Sequence, residues 1–191
     1  MCELQEHRPV GELSIRKARP EDLTRLREIF EKARRFMAET GNPDQWGPDR
    51  WPPESVTAND ISVGKCYVCV RHADGASSPD SEASPDGEVC GTFYYDFGPE
   101  PEPDYKGIAG GEWLSAAPYG VVHRIAADRS VRGIGTCCLN WAIKESGGHL
   151  RIDTHPQNAV MRSLLLKLGF SERGTVMIGG TKLRIGYEFL G

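Results

Sequence analysis

One short stretch constrains this chain more than any other. Ile125-Ala126-Ala127 reads as the end of a strand, Ser130-Val131-Arg132-Gly133-Ile134-Gly135 as a turn, and the residues after Gly135 as a helix. A strand that passes through a glycine turn into a helix belongs to an α/β sheet covered by helices. Gly133 and Gly135 carry no Cβ, so the backbone there comes close to a ligand without steric interference. The first helical turn also leaves N–H donors unpaired and presents the positive end of the helix dipole. Together these features make a cradle for an anion such as a pyrophosphate. Arg129 and Arg132 flank the turn and add charge-assisted bonds.

Three phosphate-binding patterns compete for this turn. A P-loop requires Gly-Lys followed by Ser or Thr, which is absent. A dinucleotide fingerprint requires a third glycine where Cys138 stands. The pattern [Q/R]-x-x-G-x-[G/A] of acyl-CoA turns fits best, with Ser130 in its first place. A plain structural turn remains the alternative, because short glycine motifs are weak signals.

The rest of the chain supplies a mixed sheet around that turn. Leu13-Ser14-Ile15-Arg16 alternates as a strand, and Pro20 opens a helix whose apolar face is Leu23, Leu26, Phe30, Ala33 and Met37, ending at Gly41. Glu21 and Asp22 suit the dipole at its start. A short helix is expected over 53–63, a hairpin of strands over 66–70 and 89–97, and an acidic, proline-rich loop over 99–104. Then come a strand over 120–127, a helix over 135–145, a strand over 150–153, and a helix through Met161, Leu164, Leu165 and Leu168 closed by Gly169. Strands over 176–178 and 183–189 form a last hairpin around Gly179-Gly180. The sum is an α/β chain, β-α-α-β-β-β-α-β-α-β-β, with helices on both faces of one sheet. Residues 1–11 read as an N-terminal extension, 12–191 as one domain, and 72–88 as a mobile hairpin insertion too polar to fold alone.

Composition narrows the partners. At 191 residues the chain is long enough for one well-buried core, and its net charge of -4 argues against a nucleic-acid binder. No apolar run approaches the roughly 18 residues that span a bilayer, and the start lacks the order of a signal peptide, so a cytoplasmic address is expected. Six cysteines sit in apolar strand or helix settings and read as small buried hydrophobes rather than disulfides. Cys66-Tyr67-Val68-Cys69 is half of a zinc pattern without its second half, so no metal is expected. An exposed sheet edge leaves a homodimer open.

Downstream of the turn stands Asn158-x-x-Met161-x-x-Leu164-Leu165-x-Lys167-Leu168-Gly169-Phe170. These two motifs, in this order and spacing, resemble the GNAT superfamily of N-acetyltransferases over most of the chain. Gly41-Asn42-Pro43-x-Gln45-Trp46-Gly47, Val122-His123-Arg124-Ile125-Ala126 and Arg151-Ile152-Asp153-Thr154-His155 look like a little-characterised bacterial subgroup of it. The resemblance implies a GNAT-like acyl-CoA N-acyltransferase fold with acetyl-CoA as cofactor. It implies that the strand before the turn splays from its neighbour, that Ile125, Ala126 and Ala127 face the pantetheine, that amides from Val131 through Arg132, Gly133, Ile134 and Gly135 to Thr136 hold the pyrophosphate, and that Asn158 lies near the sulfur. The activity it implies is acetyl transfer to a primary amine of a small molecule or peptide. Leu165 occupies the place of the tyrosine that protonates the leaving thiolate in many members. The strand that often carries a glutamate base begins Tyr119-Gly120-Val121-Val122-His123 here.

Acyl transfer to an amine needs a neutral nitrogen, and a free alkylamine has a pKa of roughly 10. His123, Asp153 and His155 are the candidate catalytic residues. A histidine side chain is the usual proton relay near neutrality, and by strand alternation His123 shares a face with Ile125. Asp153 and His155 lie at the C-terminal end of a strand, where α/β sheets place ligands. A backbone-bonded histidine and an orienting pair that caps the loop to Asn158 are the structural alternatives. Trp46, Trp113 and Tyr119 are candidates to wall an acceptor pocket, beside Trp51, and Glu112 to attract a cationic amine. A non-catalytic acyl-CoA sensor and a different thioester or nucleotide-phosphate transferase remain the rival functions.

Overall fold

The computed structural model describes residues 12–46, 50–72 and 87–191. The expected N-terminal extension and nearly all of the expected insertion over 72–88 lie outside the described residues. The strands are β1 (Leu13–Lys17), β2 (Cys66–Arg71), β3 (Glu88–Gly98), β4 (Tyr119–Ala127), β5 (His149–Thr154), β6 (Ser171–Ile178) and β7 (Lys182–Leu190). The helices are α1 (Leu23–Glu39), α2 (Glu54–Ser62), α3 (Ile134–Glu145) and α4 (Ala159–Lys167). All seven strands join one sheet in the order β1-β2-β3-β4-β5-β7-β6. β4 and β5 run parallel, and the other neighbours run antiparallel.

Period-two alternation in the strands explains the two layers. Cys66, Val68 and Val70 of β2 pack toward α1, whose Leu26, Ile29 and Phe30 are buried there at helical spacing. Cys69 packs the other way, with Ile134, Cys138, Leu139 and Ala142 of α3 and Leu165 of α4. Each Val, Leu, Ile or Phe among them, taken out of water, contributes roughly 1.5–3 kcal/mol. Cys66, Cys69, Cys90 and Cys138 are buried free thiols, as expected of small hydrophobes. No helix among the described residues is long and apolar enough to cross a membrane.

Asp22 stands at the helix start as expected, where it accepts from the Arg19 amide at 2.7 Å and also from Arg16 at 2.7 and 2.9 Å. Two details differ from expectation. β6 starts five residues earlier than its apolar run, at Ser171, because pairing with β7 decides its length. The acidic loop is not plain coil: it carries a 3-10 turn at Pro103–Gly107 with Tyr105 only 1% exposed.

Candidate functional site

The centre of the sheet is open on one side. β4 pairs with β5 only from Gly120 to Val122, opposite Leu150 to Ile152, while β4 continues to Ala127 against β3. Beyond Val122 the two parallel strands part, as the resemblance implied. The cause is local. Tyr94 faces His123 but Thr92 faces Ala126, so β4 carries an extra residue, and Arg124 takes a left-handed φ of +52°. Such a bulge bends its strand and re-aims its side chains. Arg124 is held in this conformation by Asp60 of α2 at 2.7 Å and lies over the Tyr94 ring. Strict alternation from His123 to Ile125 is therefore broken, yet Val122, His123, Arg124 and Ile125 all border the resulting cleft. Ile152, Asp153 and Thr154 of β5 form its other wall, around a volume of about 190 Å³.

The glycine turn stands at the end of this splay. Gly133 is the N-cap of α3 with φ +82° and supplies no capping side chain. The first helical bond runs from Cys137 to the Gly133 carbonyl, so the amides of Gly133, Ile134, Gly135 and Thr136 precede it and have no intrahelical acceptor. A Cβ on Gly133 would meet nothing closer than Leu13 at 4.0 Å, which leaves the approach open. The other glycine has a different reason: a Cβ on Gly135 would lie 2.9 Å from Leu164, so its smallness serves the packing of α3 against α4. Two further expectations need correction. Val131 is buried in the core, and its amide donates to the Asp128 carbonyl at 3.2 Å rather than pointing out of the turn. Ala126 is buried toward α1, on the far side from the splay.

Asp128 ties this turn to α1. Its carboxylate accepts from Arg25 and Lys32, both at 2.8 Å, and from the Ser130 amide at 3.1 Å. Burial pulls its pKa upward, but Lys32, Ser130 and Arg25 outweigh that and hold the carboxyl well below the usual range. Arg132 is exposed beside the turn, while Arg129 lies over the Phe36 ring of α1, 3.5 Å from its centre.

Inside the cleft, His123 meets two carboxylates. Its Nε2 is 2.9 Å from Glu102 Oε2, and its Nδ1 is 3.6 Å from Asp153 Oδ1. The Glu102 contact lies outside hydrogen-bond angles, so Nε2 is shielded from solvent without an aligned partner among the described residues. Burial acts to raise the Glu102 pKa, yet contact with His123 overrides it and holds the carboxyl below its ordinary value. Asp153 accepts from the Tyr105 hydroxyl at 2.8 Å and faces Arg184 at 3.8 Å. Burial, with Asp153 alongside, pushes the Tyr105 phenol well above its usual pKa, so it stays a neutral donor.

Asn158 borders the cleft as the N-cap of α4, its side chain accepting from the Met161 amide at 3.2 Å and donating to Thr154 at 3.0 Å and Gln45 at 3.2 Å. His155 does not border the cleft. Its Nδ1 accepts from the Gln157 amide at 3.2 Å, and its own amide donates to Gln45 at 3.0 Å. This is the loop-capping alternative. Burial first, then Arg184, lowers its pKa.

Of the expected acceptor wall, Trp46 borders the cleft, joined by Trp51, Met37 and Lys182. Trp113, Tyr119 and Glu112 lie elsewhere. Trp113 donates to the Tyr105 carbonyl at 2.7 Å and covers Gly186. Tyr119 is buried, its hydroxyl 3.4 Å from the Glu102 carbonyl. Glu112 is exposed, and its carbonyl accepts from Arg173 at 2.8 Å. The two aromatics support the loop of Glu102 and Tyr105 from behind. Sequence reasoning passed over Glu102 and Tyr105, hidden in an acidic loop. It also missed Gln45, although that residue stood inside the Gly41–Gly47 string.

A mixed sheet whose parallel central strands part beside a glycine-turn helix is the architecture of an acetyl-CoA-type N-acyltransferase. Solved structures agree. An acetyltransferase of the GNAT family from Streptococcus agalactiae is 27% identical, with TM-score 0.78 over 94% of this chain and 95% of that one. A GNAT-family acetyltransferase from Listeria monocytogenes is 17% identical, with TM-score 0.63 over 94% and 96%. NAA60 of Arabidopsis thaliana, in complex with acetyl-CoA, is 16% identical, with TM-score 0.58 over 93% and 97%. No protein-family model matches the sequence, nor does any curated protein. By its fold and these likenesses, the chain belongs to the GNAT superfamily.

Proposed function

We propose that the protein transfers an acetyl group from acetyl-CoA to a primary amine of a small molecule or peptide by direct attack. The observation that carries this reading is His123, set beside the β4 bulge where the strands part, with its ring between Glu102 at 2.9 Å and Asp153 at 3.6 Å. The residues fit the cofactor. The amides from Gly133 to Thr136 would hold the pyrophosphate, the free edge of β4 at Ile125 and Ala127 would hold the pantetheine, and Asn158 would lie near the sulfur end.

The incoming amine is an ammonium until it loses a proton to the His123–Glu102 pair, directly or through water. Its lone pair then forms the bond to the thioester carbonyl carbon, and the carbon–sulfur bond breaks. The nitrogen's second proton passes to the departing thiolate. Asp153, fixed by Tyr105, flanks the imidazole on the side away from Glu102, 3.6 Å from Nδ1. Leu165 is fully buried, so nothing at the usual tyrosine position reaches the sulfur. Positioning supplies a large share of such a rate, worth about 7–11 kcal/mol in well-oriented cases.

The test is release of free thiol and acetylated amine from acetyl-CoA with a panel of amines. Turnover with any amine supports the reading. Tight acetyl-CoA binding without turnover favours the second reading, a non-catalytic acyl-CoA sensor, to which the buried Leu165 lends weight.

A further inference from the structure

The cleft continues into a groove along α1. Met37 and Trp46 border both, and Arg34, Arg35 and Arg50 line the groove beyond them. The carboxylates on this path are largely matched. Glu102 faces His123, Asp153 holds Tyr105 and Arg184, and Glu31 pairs with Arg50. Arg124, inside the cleft, is matched by Asp60.

The other cations are not. Among the described residues, Arg34 donates to the carbonyls of Arg50 and Trp51, at 3.4 and 3.3 Å, and no carboxylate lies within ion-pair distance of it. Burial, and then Arg50 nearby, lower its pKa against a smaller opposing pull from Glu31, as expected where like charges crowd. Arg35 borders the groove with no ion pair among the described residues, and Lys182 faces the Trp51 ring, 5.4 Å from its ammonium. Asp44 is the one carboxylate among the described groove residues outside these pairings. The described path therefore holds three unmatched cations against one unmatched carboxylate, in a chain whose net charge is -4.

We propose that the acceptor amine carries an anionic group, a carboxylate or a phosphate, which seats against Lys182, Arg34 and Arg35 while its amine meets His123. This rests on the acetyl-transfer reading and names its substrate class. Guanidinium groups suit such anions because their planar forks bond two oxygens at once. Salt screens exposed contacts of this kind, so the preference weakens as ionic strength rises.

The experiment uses the full chain, saturated with CoA for binding and supplied with acetyl-CoA for turnover. Four amines of similar length are compared: an ω-amino acid, phosphoethanolamine, a simple alkylamine with no second charged group, and a diamine. Calorimetry is expected to show the ω-amino acid or phosphoethanolamine binding at least about tenfold tighter than the alkylamine, a factor equal to about 1.4 kcal/mol. Whichever of those two binds tighter identifies the anion. That advantage should shrink in high salt, and shrink separately in Lys182→Glu and Arg35→Glu. Equal or tighter binding of the alkylamine or diamine overturns the proposal. So does an anionic preference that survives both substitutions. Thiol release reads the other question: binding of the anionic amines without any turnover leaves the groove assignment standing and overturns acetyl transfer instead.

Discussion

Two histidine–carboxylate clusters hang from one face of β5, and they play opposite parts. His149, Arg151 and Asp153 succeed each other at alternate positions, so all three point the same way. At the first two, the opposing strand offers Glu188, which is 1% exposed and accepts from His149 at 2.7 Å, Arg151 at 2.9 Å and the Leu114 amide. Arg151 is further stacked over Trp113 and Tyr119 and donates to the Ser115 carbonyl. None of these residues borders the cleft. At the third position the residue opposite Asp153 is Gly186, whose missing side chain makes room for the Trp113 ring. Asp153 instead faces Tyr105, Arg184 and His123, at the cleft wall. The same residue types on one strand face thus make a scaffold where they are sealed and satisfied, and a candidate for chemistry where a cavity reaches them.

The sharpest way to break the comparison is Glu188→Ala. It leaves Arg151 and His149 buried without their carboxylate, and the expected loss is about 3–5 kcal/mol of stability. Urea unfolding measures it, and an unchanged midpoint would deny the sealed cluster its structural role.

Asp128→Asn comes next, with an expected loss of about 1.5–3 kcal/mol at neutral pH from the bonds to Arg25 and Lys32. The carboxyl's folded pKa lies below its unfolded value of roughly 3.9, so its contribution is complete above that pH and is lost as pH falls further. The gap between wild type and Asp128→Asn should therefore begin to narrow as pH falls below about 4 and keep narrowing as it falls further, in acid titrations of stability. A gap that does not narrow at all on acidification would mean the charge is not its source.

Gly133→Val has the smallest energetic effect and the most specific one. A side chain at φ +82° costs roughly 1–2 kcal/mol in the turn, and acetyl-CoA affinity should fall at least about tenfold while the fold remains. Calorimetry with unchanged affinity would remove the turn from the cofactor site.

Legibility from sequence tracked the same division between local and long-range. Strand order along the chain, the glycine turn and the α4 motif are written in neighbouring residues, and they were readable from Leu13 to the closing hairpin. Asn158 could be found because its motif is local. The cleft depends on side chains brought from β4, β5, β7 and two loops, and no spacing rule joins Glu102 to His123 or Gln45 to Thr154. The bulge at Arg124 depends on Asp60, far away in sequence, so alternation alone misread that strand. Trp113 and Tyr119 looked like pocket walls because aromatic residues at element ends serve either purpose. Only the Arg151 contact shows that they face the sealed cluster.

The central claim is that His123 serves the chemistry rather than the scaffold, and it is tested by measuring kcat and the acetyl-CoA Kd of His123→Ala side by side. The account predicts that kcat falls about 10²–10⁴-fold with Kd within about twofold of wild type. Unchanged turnover, or turnover and cofactor affinity falling together with stability, would contradict it and move His123 into the company of His149.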